Sequence, residues 1–247
     1  MSVNGQNGHG GPLWSRWISS LTKRMRNGTV DLVAYRRLAV QLHYALPRGE
    51  ASRSVLVITP SNPILAAHAS TLLAQSMAAE LHKPVLLADV DPREPQVSRI
   101  FDATSNAGFT DLMHRAEMCV QPLVLATSAP NLSVLPVGRG PESAPQPRPD
   151  QIGPFLEAAS QEHDFVVLSG GAVLSNTTAL AVAPLAGSVL LLAVENKTRV
   201  ADLEAAQHAL AVCRVSNIGL VLTTEVRSKP AVRRAAESPG SALAHQE

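Results

Sequence analysis

The stretch from Val55 to Pro95 constrains the fold more than any other. Val55-Leu56-Val57-Ile58-Thr59 is a short apolar run, a loop follows, and Ala66–Leu81 is rich in alanine and leucine. Then comes Val85-Leu86-Leu87-Ala88-Asp89-Val90-Asp91-Pro92-Arg93-Glu94-Pro95. An apolar run without polar alternation marks a strand covered on both faces. Alanine is the best helix former, and Leu72, Leu73, Met77 and Leu81 supply a buried stripe. The order is strand, loop, helix, strand: a βαβ unit of the nucleotide-binding type. Its second strand ends in Asp89 and Asp91, where such units place metal and phosphate chemistry. The loop between strand and helix, Pro60-Ser61-Asn62-Pro63-Ile64-Leu65-Ala66-Ala67-His68, contains neither glycine nor lysine. A phosphate-binding loop needs both.

The rest of the chain continues the alternation. Strands are expected at Leu132–Pro136, Phe165–Leu168, Ser188–Val194 and Ile218–Thr223. Helices are expected at Gln96–Phe101, Thr110–Ala116, Ile152–Glu162, Thr177–Ala183 and Val200–Cys213. Pro154 is compatible only with the first turn of its helix. Regular alternation predicts an α/β protein: three layers, with a mostly parallel sheet covered by helices on both faces. No internal repeat is visible. Aromatic residues make up only 3% of the chain, so Ala, Val and Leu must build the core.

Ahead of this domain, residues 1–12 are Gly/Asn-rich and read as disordered. Residues 13–50 read as amphipathic helices and a linker, residues 51–224 as the α/β domain, and residues 225–247 as a disordered tail. Trp14, Trp17, Ile18, Leu21 and Met25 share one helical face, with Arg16, Lys23, Arg24 and Arg26 mostly off it. Such a basic, tryptophan-bearing helix packs on its own domain, enters a partner's groove or lies in a membrane interface. A second helix, about Val30–Leu46, has Leu32, Tyr35, Leu38, Leu42 and Ala45 on its apolar face and Arg36 and Arg37 on its polar side.

A formal net charge of +1 argues against a broad nucleic-acid surface. No apolar run reaches the roughly 20 residues that span a bilayer, and no secretory h-region is present. The two cysteines, Cys119 and Cys213, form no metal or redox motif, and burial is the default for both. These features point to a cytoplasmic protein, with peripheral attachment at the inner face of the membrane left open.

Four motifs in order carry a family resemblance over about residues 30–224. Val85–Pro95 is similar to a hydrophobic strand ending D-x-D-x-R-x-P. Val33-Ala34-Tyr35-Arg36-Arg37-Leu38 resembles E-A-Y-R-x-L-R. Gly108-Phe109-Thr110-Asp111-Leu112 resembles G-L-s-D-v-L, and Asn131-Leu132-Ser133-Val134-Leu135-Pro136-Val137-Gly138 resembles N-L-x-V-L-P-x-G. The set resembles the cytoplasmic domain of bacterial tyrosine kinases of capsule and exopolysaccharide synthesis. Those kinases are deviant Walker-A P-loop ATPases, like the partition and septum-site ATPases. The resemblance implies a P-loop NTPase-like fold. It also implies a partner, an inner-membrane polysaccharide chain-length or export protein, together with self-association or pairing with an active kinase.

The departures fall on the catalytic parts. Leu65, Ala66 and Ala67 stand where the family has Gly, Lys and Ser/Thr. Ser169 stands where the third Walker motif places its aspartate, and Asp164 lies before that strand. Val33, Arg36 and Ala39 replace the oligomerising E-x-x-R-x-x-R. The tail, Arg227–Glu247, has no tyrosine. A polyphosphate beside Asp89 and Asp91 without lysine or Mg²⁺ would be repelled by about 1 kcal/mol or more per charge pair.

The expectation is therefore a non-catalytic, pseudokinase-like accessory of polysaccharide synthesis or export, with no catalytic residue, no metal site and no cofactor. Trp14, Trp17, Ile18, Leu21, Tyr35 and Arg36 are the expected docking residues. ATP and Mg²⁺ enter only under an alternative, a weak ATPase or tyrosine kinase using Asp89 and Asp91. A second alternative is a membrane-surface positioning protein of the partition-ATPase type. For Asp89 and Asp91 the preferred reading is a strand-end cap with Arg93 as ion-pair partner. His68 reads as a helix-start histidine, and Gly170-Gly171 as a flexible turn.

Overall fold

The computed structural model describes residues 32–46, 53–114, 119–139 and 147–223. The expectations for residues 1–31, for the linker after Leu46 and for the C-terminal tail lie outside the described residues. The elements run α1 (Leu32–Ala45), β1 (Ser54–Thr59), α2 (Pro63–Leu81), β2 (Val85–Asp89), α3 (Gln96–Ile100) and α4 (Phe109–Met113). They continue with β3 (Leu125–Ala126), β4 (Leu132–Leu135), α5 (Pro149–Glu162), β5 (Phe165–Ala172), α6 (Thr177–Val182), β6 (Ser188–Val194), α7 (Val200–Val212) and β7 (Ile218–Thr223).

The strands form one sheet in the order β3-β4-β2-β5-β1-β6-β7. Every pairing is parallel except β3 with β4. The three central strands β1, β2 and β5 are buried along their whole length, as a sheet covered on both faces requires. Alternate residues of each strand feed opposite layers. Val55, Val57, Leu87 and Val167 pack under α1, α2 and α3 through Leu38, Leu73, Met77 and Val97. Leu56, Ile58, Leu86 and Leu168 pack under α4 to α7, through residues such as Phe109, Phe155, Val182 and Leu210. The scarce aromatics are concentrated: Phe109 and Phe155 meet edge-to-face at 5.3 Å between centroids.

Several boundaries differ from the sequence expectation, each for a local reason. Helix α2 begins at Pro63, three residues early. Proline is favoured at the first helical position, where its missing N–H costs nothing. Helix α5 begins at Pro149, for the same reason, and Pro154 lies inside it rather than in its first turn. Strand β5 runs through Gly170-Gly171 to Ala172 instead of ending at Leu168. The β1 register shifts opposite that pair, between Val57 and Thr59, so the glycines sit at an irregularity within a strand and not in a turn. In α1 the buried residues are Leu38, Ala39 and Leu42, while Leu32 and Ala45 are exposed. Cys119 is exposed, because its neighbour Val120 takes the inward position.

Candidate functional site

In open α/β sheets the ligand site lies at the carboxyl ends of the strands. Here that edge brings together the end of β1 with its following loop, Asp89 and Asp91 after β2, and Gly170-Gly171 in β5. Their polar groups are bonded to one another.

The β1–α2 connection is three residues long, Pro60-Ser61-Asn62. Thr59 Oγ1 accepts from Asn62 N at 3.0 Å and donates to the Asn62 carbonyl at 2.8 Å. Asn62 caps α2, its Oδ1 accepting from Leu65 N at 3.0 Å. Ala66 N donates to the Asn62 carbonyl at 3.3 Å. Helix N-termini bind anions because their first N–H groups lack partners. At this one Pro63 has no N–H, and those of Leu65 and Ala66 are spent on Asn62. The side chains of Leu65, Ala66 and Ala67 are buried. Ser70 and Thr71 turn their hydroxyls back to the Ala67 carbonyl, at 3.0 and 2.7 Å. His68 is half-buried one turn into the helix, and burial holds its imidazole below its ordinary value.

Asp89 is an internal brace. Its carboxylate accepts from Ser98 N and Ser98 Oγ, both at 2.8 Å, and from Asp91 N at 3.3 Å. Ser98 Oγ in turn accepts from Val137 N at 2.9 Å. One side chain thus ties the end of β2 to α3 and to the segment after β4. Asp91 accepts from the backbone N–H groups of Arg93 and Glu94, each at 3.2 Å. The cap hydrogen bonds follow the expectation. Among the described residues the Arg93 guanidinium lies beyond salt-bridge distance of both aspartates, yet its charge still favours the ionised form of Asp91. Burial pushes the Asp89 carboxyl up to about 7, against the Ser98 and Asp91 hydrogen bonds that favour its ionised form. Burial likewise pushes Asp91 up to about 6.

Gly171 has φ +63°, and a Cβ placed there would lie 1.9 Å from Asp91 Oδ2. What approaches this glycine is the chain's own carboxylate. Ser169 is buried beside Asp89 in the β2–β5 register, and its carbonyl accepts from Val90 N at 3.1 Å. Asn176 closes the edge, donating through Nδ2 to the Gly170 carbonyl at 2.8 Å and the Val90 carbonyl at 3.3 Å. Ser98, Asn176 and Asn62 were not singled out from sequence. Only Asn62 had a readable signal, an N-cap residue directly before proline.

Two other motifs prove to be one junction. Phe109 N and Thr110 N donate to the Pro136 and Val137 carbonyls at 2.9 and 2.7 Å. Asp111 accepts from Gly108 N at 2.8 Å and Arg139 N at 2.9 Å. Asp164, at the opposite end of the sheet, faces Lys83 at 3.8 Å. On α1, Tyr35 packs on the core, and burial raises its phenol above the ordinary range. Arg36 is exposed and pairs with Glu80 of α2 at 3.1 Å. Among the described residues no group of three or more His, Cys, Asp or Glu is placed to hold a metal ion, and no helix is long and apolar enough to cross a membrane.

This is a P-loop NTPase-like α/β domain whose β1–α2 corner is closed by its own hydrogen bonds. No family model matches the chain. It is 24% identical over 205 residues to the tyrosine-protein kinase ptk of Acinetobacter johnsonii, covering 81% of this chain and 27% of that protein. It is 28% identical over 172 residues to the tyrosine-protein kinase wzc of Salmonella typhimurium, covering 65% of this chain and 22% of that protein. The chain thus spans about a quarter of the length of the curated relatives it matches. Among solved structures, the kinase domain of Escherichia coli tyrosine kinase ETK superposes with a TM-score of 0.67 at 20% identity, over 92% of each chain. A ParA family ATPase from Chlorobium tepidum TLS gives 0.53 at 15% identity, over 73% of this chain and 78% of that one. The chain is a relative of the bacterial tyrosine kinases, on the fold they share with that ATPase.

Proposed function

We propose that the chain is a non-catalytic, pseudokinase-like accessory of exopolysaccharide or capsule synthesis or export. It acts by occupancy: the folded domain binds an inner-membrane chain-length or export protein through its N-terminal element, Trp14 to Leu46, at the cytoplasmic face. One observation carries this reading. In the first turn of α2 Pro63 has no N–H and those of Leu65 and Ala66 bond to Asn62, while Leu65, Ala66 and Ala67 supply no cation there. Asp89 and Asp91 are engaged with backbone and Ser98 rather than presented to a metal. Phosphoryl transfer depends on positioning and on cations at the phosphates, and neither is provided.

Isothermal calorimetry of the full chain with ATP, with and without Mg²⁺, tests the proposal. No binding heat is expected at millimolar nucleotide. Micromolar MgATP affinity would overturn it in favour of a weak ATPase or kinase. The partner is tested by co-purification from membranes with an inner-membrane polysaccharide chain-length or export protein of the same cell. An Arg36→Ala variant should bind that partner more weakly at unchanged melting temperature.

A further inference from the structure

The two edges of the sheet are finished differently. At one, β3 is an antiparallel strand of two residues, Leu125–Ala126. So short an edge strand offers little to pair with. At the other, β7 runs for six residues, Ile218–Thr223, with no charge and no proline. It pairs in parallel with β6 without a register shift, and among the described residues no strand meets its outer side. Natural edges are blunted by shortness, charge, proline or a bulge, and β7 has none of these.

The register fixes what the outer side presents. Val189 N donates to the Asn217 carbonyl and Glu195 N to the Thr223 carbonyl, both at 2.8 Å. Successive residues of a strand turn their N–H and C=O groups to opposite sides. Residues 217, 219, 221 and 223 therefore face β6, and Ile218, Leu220 and Leu222 turn their backbone groups outward. The side chains of these same three share one face of the sheet. Ile218 packs at the margin of the core under α4 to α7, while Leu220 and Leu222 are 39% and 41% exposed. Outward backbone groups and uncovered apolar side chains thus belong to the same residues.

We infer that β7 is a self-association edge: a second copy of this chain pairs with it antiparallel, about a two-fold axis at Leu220. The spacing of the three residues selects that occupant. With Leu220 opposite the second copy's Leu220, Ile218 falls opposite Leu222 and Leu222 opposite Ile218. The outward N–H and C=O groups of all three then meet their counterparts, in about six hydrogen bonds. The six side chains form one apolar row across the joint, and no like charges oppose each other. The edge is complementary to itself in hydrogen bonding, side-chain type and charge. A strand edge buries less than the about 800 Å² per partner of a standard interface, so the dimer forms and parts with concentration. Helix α1 packs on the other face of the sheet and is not covered by the row of leucines. The pairing does not depend on whether the domain takes nucleotide.

Sedimentation equilibrium of the full chain tests this. The unsubstituted protein should pass from monomer to dimer as its concentration rises to hundreds of micromolar. Leu220→Lys and Leu220→Glu change an exposed side chain and should keep the far-ultraviolet melting curve. Each should be monomeric throughout, because each sets like charges across the axis. Mixed in equal amounts, the two variants place opposite charges there and should dimerise again. Leu220→Cys in a Cys119→Ser, Cys213→Ser background should oxidise to a linked dimer, since the two Cα atoms of such a pair lie about 5.5 Å apart. Four results would overturn the inference: an unsubstituted chain that stays monomeric over that range, a dimer that survives either charged variant, charged variants that stay apart when mixed, or no linked dimer from the cysteine variant.

Discussion

The Asp91 carboxylate occupies the place where a side chain on Gly171 would begin, with Oδ2 1.9 Å from the ideal Cβ position. The glycine also holds φ +63°, which L-residues rarely adopt. A Gly171→Ala variant should lose about 2–4 kcal/mol of stability, from steric overlap and a left-handed backbone together. Urea unfolding would measure it. Removing the carboxylate in Asp91→Ala should recover part of that loss in the double variant. Strictly additive losses would mean the two residues do not press on each other.

The two buried aspartates predict an inverted acid response. Both carboxyls have folded values, about 7 and about 6, above the unfolded value of about 4. Between those values the unfolded chain has released protons that the folded chain retains. Their contribution to stability is therefore fullest below about pH 4, declines as pH rises, and is level above about pH 7. Asp89→Asn should flatten the fall in melting temperature between about pH 4 and pH 7. Parallel curves for variant and unsubstituted protein would refute the assignment.

Ser98 should be sensitive out of proportion to its size. Ser98→Ala removes a donor from Asp89 and leaves Val137 N without its acceptor, in a fully buried setting. A loss of about 1–3 kcal/mol is expected. Ser98→Thr should keep the hydroxyl but overfill the site. Denaturant midpoints for both would separate the lost bonds from crowding.

A lysine placed at position 66 should not confer nucleotide binding. Ala66 is fully buried on α2. Ala66→Lys puts an ammonium into the core, at a cost of at least about 3 kcal/mol unless it neutralises. The variant should melt lower, and millimolar MgATP should not raise its melting temperature. A nucleotide-dependent increase would show that the corner can still open.

The cap itself is testable. Asn62→Ala should cost about 1 kcal/mol and Asn62→Gly only a few tenths. Equal losses would assign the effect to the loop rather than to the Oδ1 bond to Leu65 N.

Strand order of residue types was legible because period and burial coincide. Val55–Thr59 and Val85–Ala88 are apolar on both sides, and only a central parallel strand needs that. The lack of glycine and lysine after β1 was legible, being a matter of residue type. The bonds within the corner were not, because Thr59, Asn62 and Leu65 meet only once Pro63 starts the helix. Asp89 could be seen at a strand end, but not its tie to Ser98, which depends on where α3 lands. Gly170-Gly171 misled because a glycine pair has the same sequence signature in a turn and at an irregular strand. Arg93 acts on Asp91 by charge from a distance, because two backbone N–H groups already fill the carboxylate's near positions.

The three-residue corner between β1 and α2 has a regulatory consequence. On the proposed reading, in which the domain takes no nucleotide, the ratio of ATP to ADP has no handle on it. Its influence on a membrane assembly would then be set by how many copies are made and by what competes for its surface, as with a subunit rather than a motor.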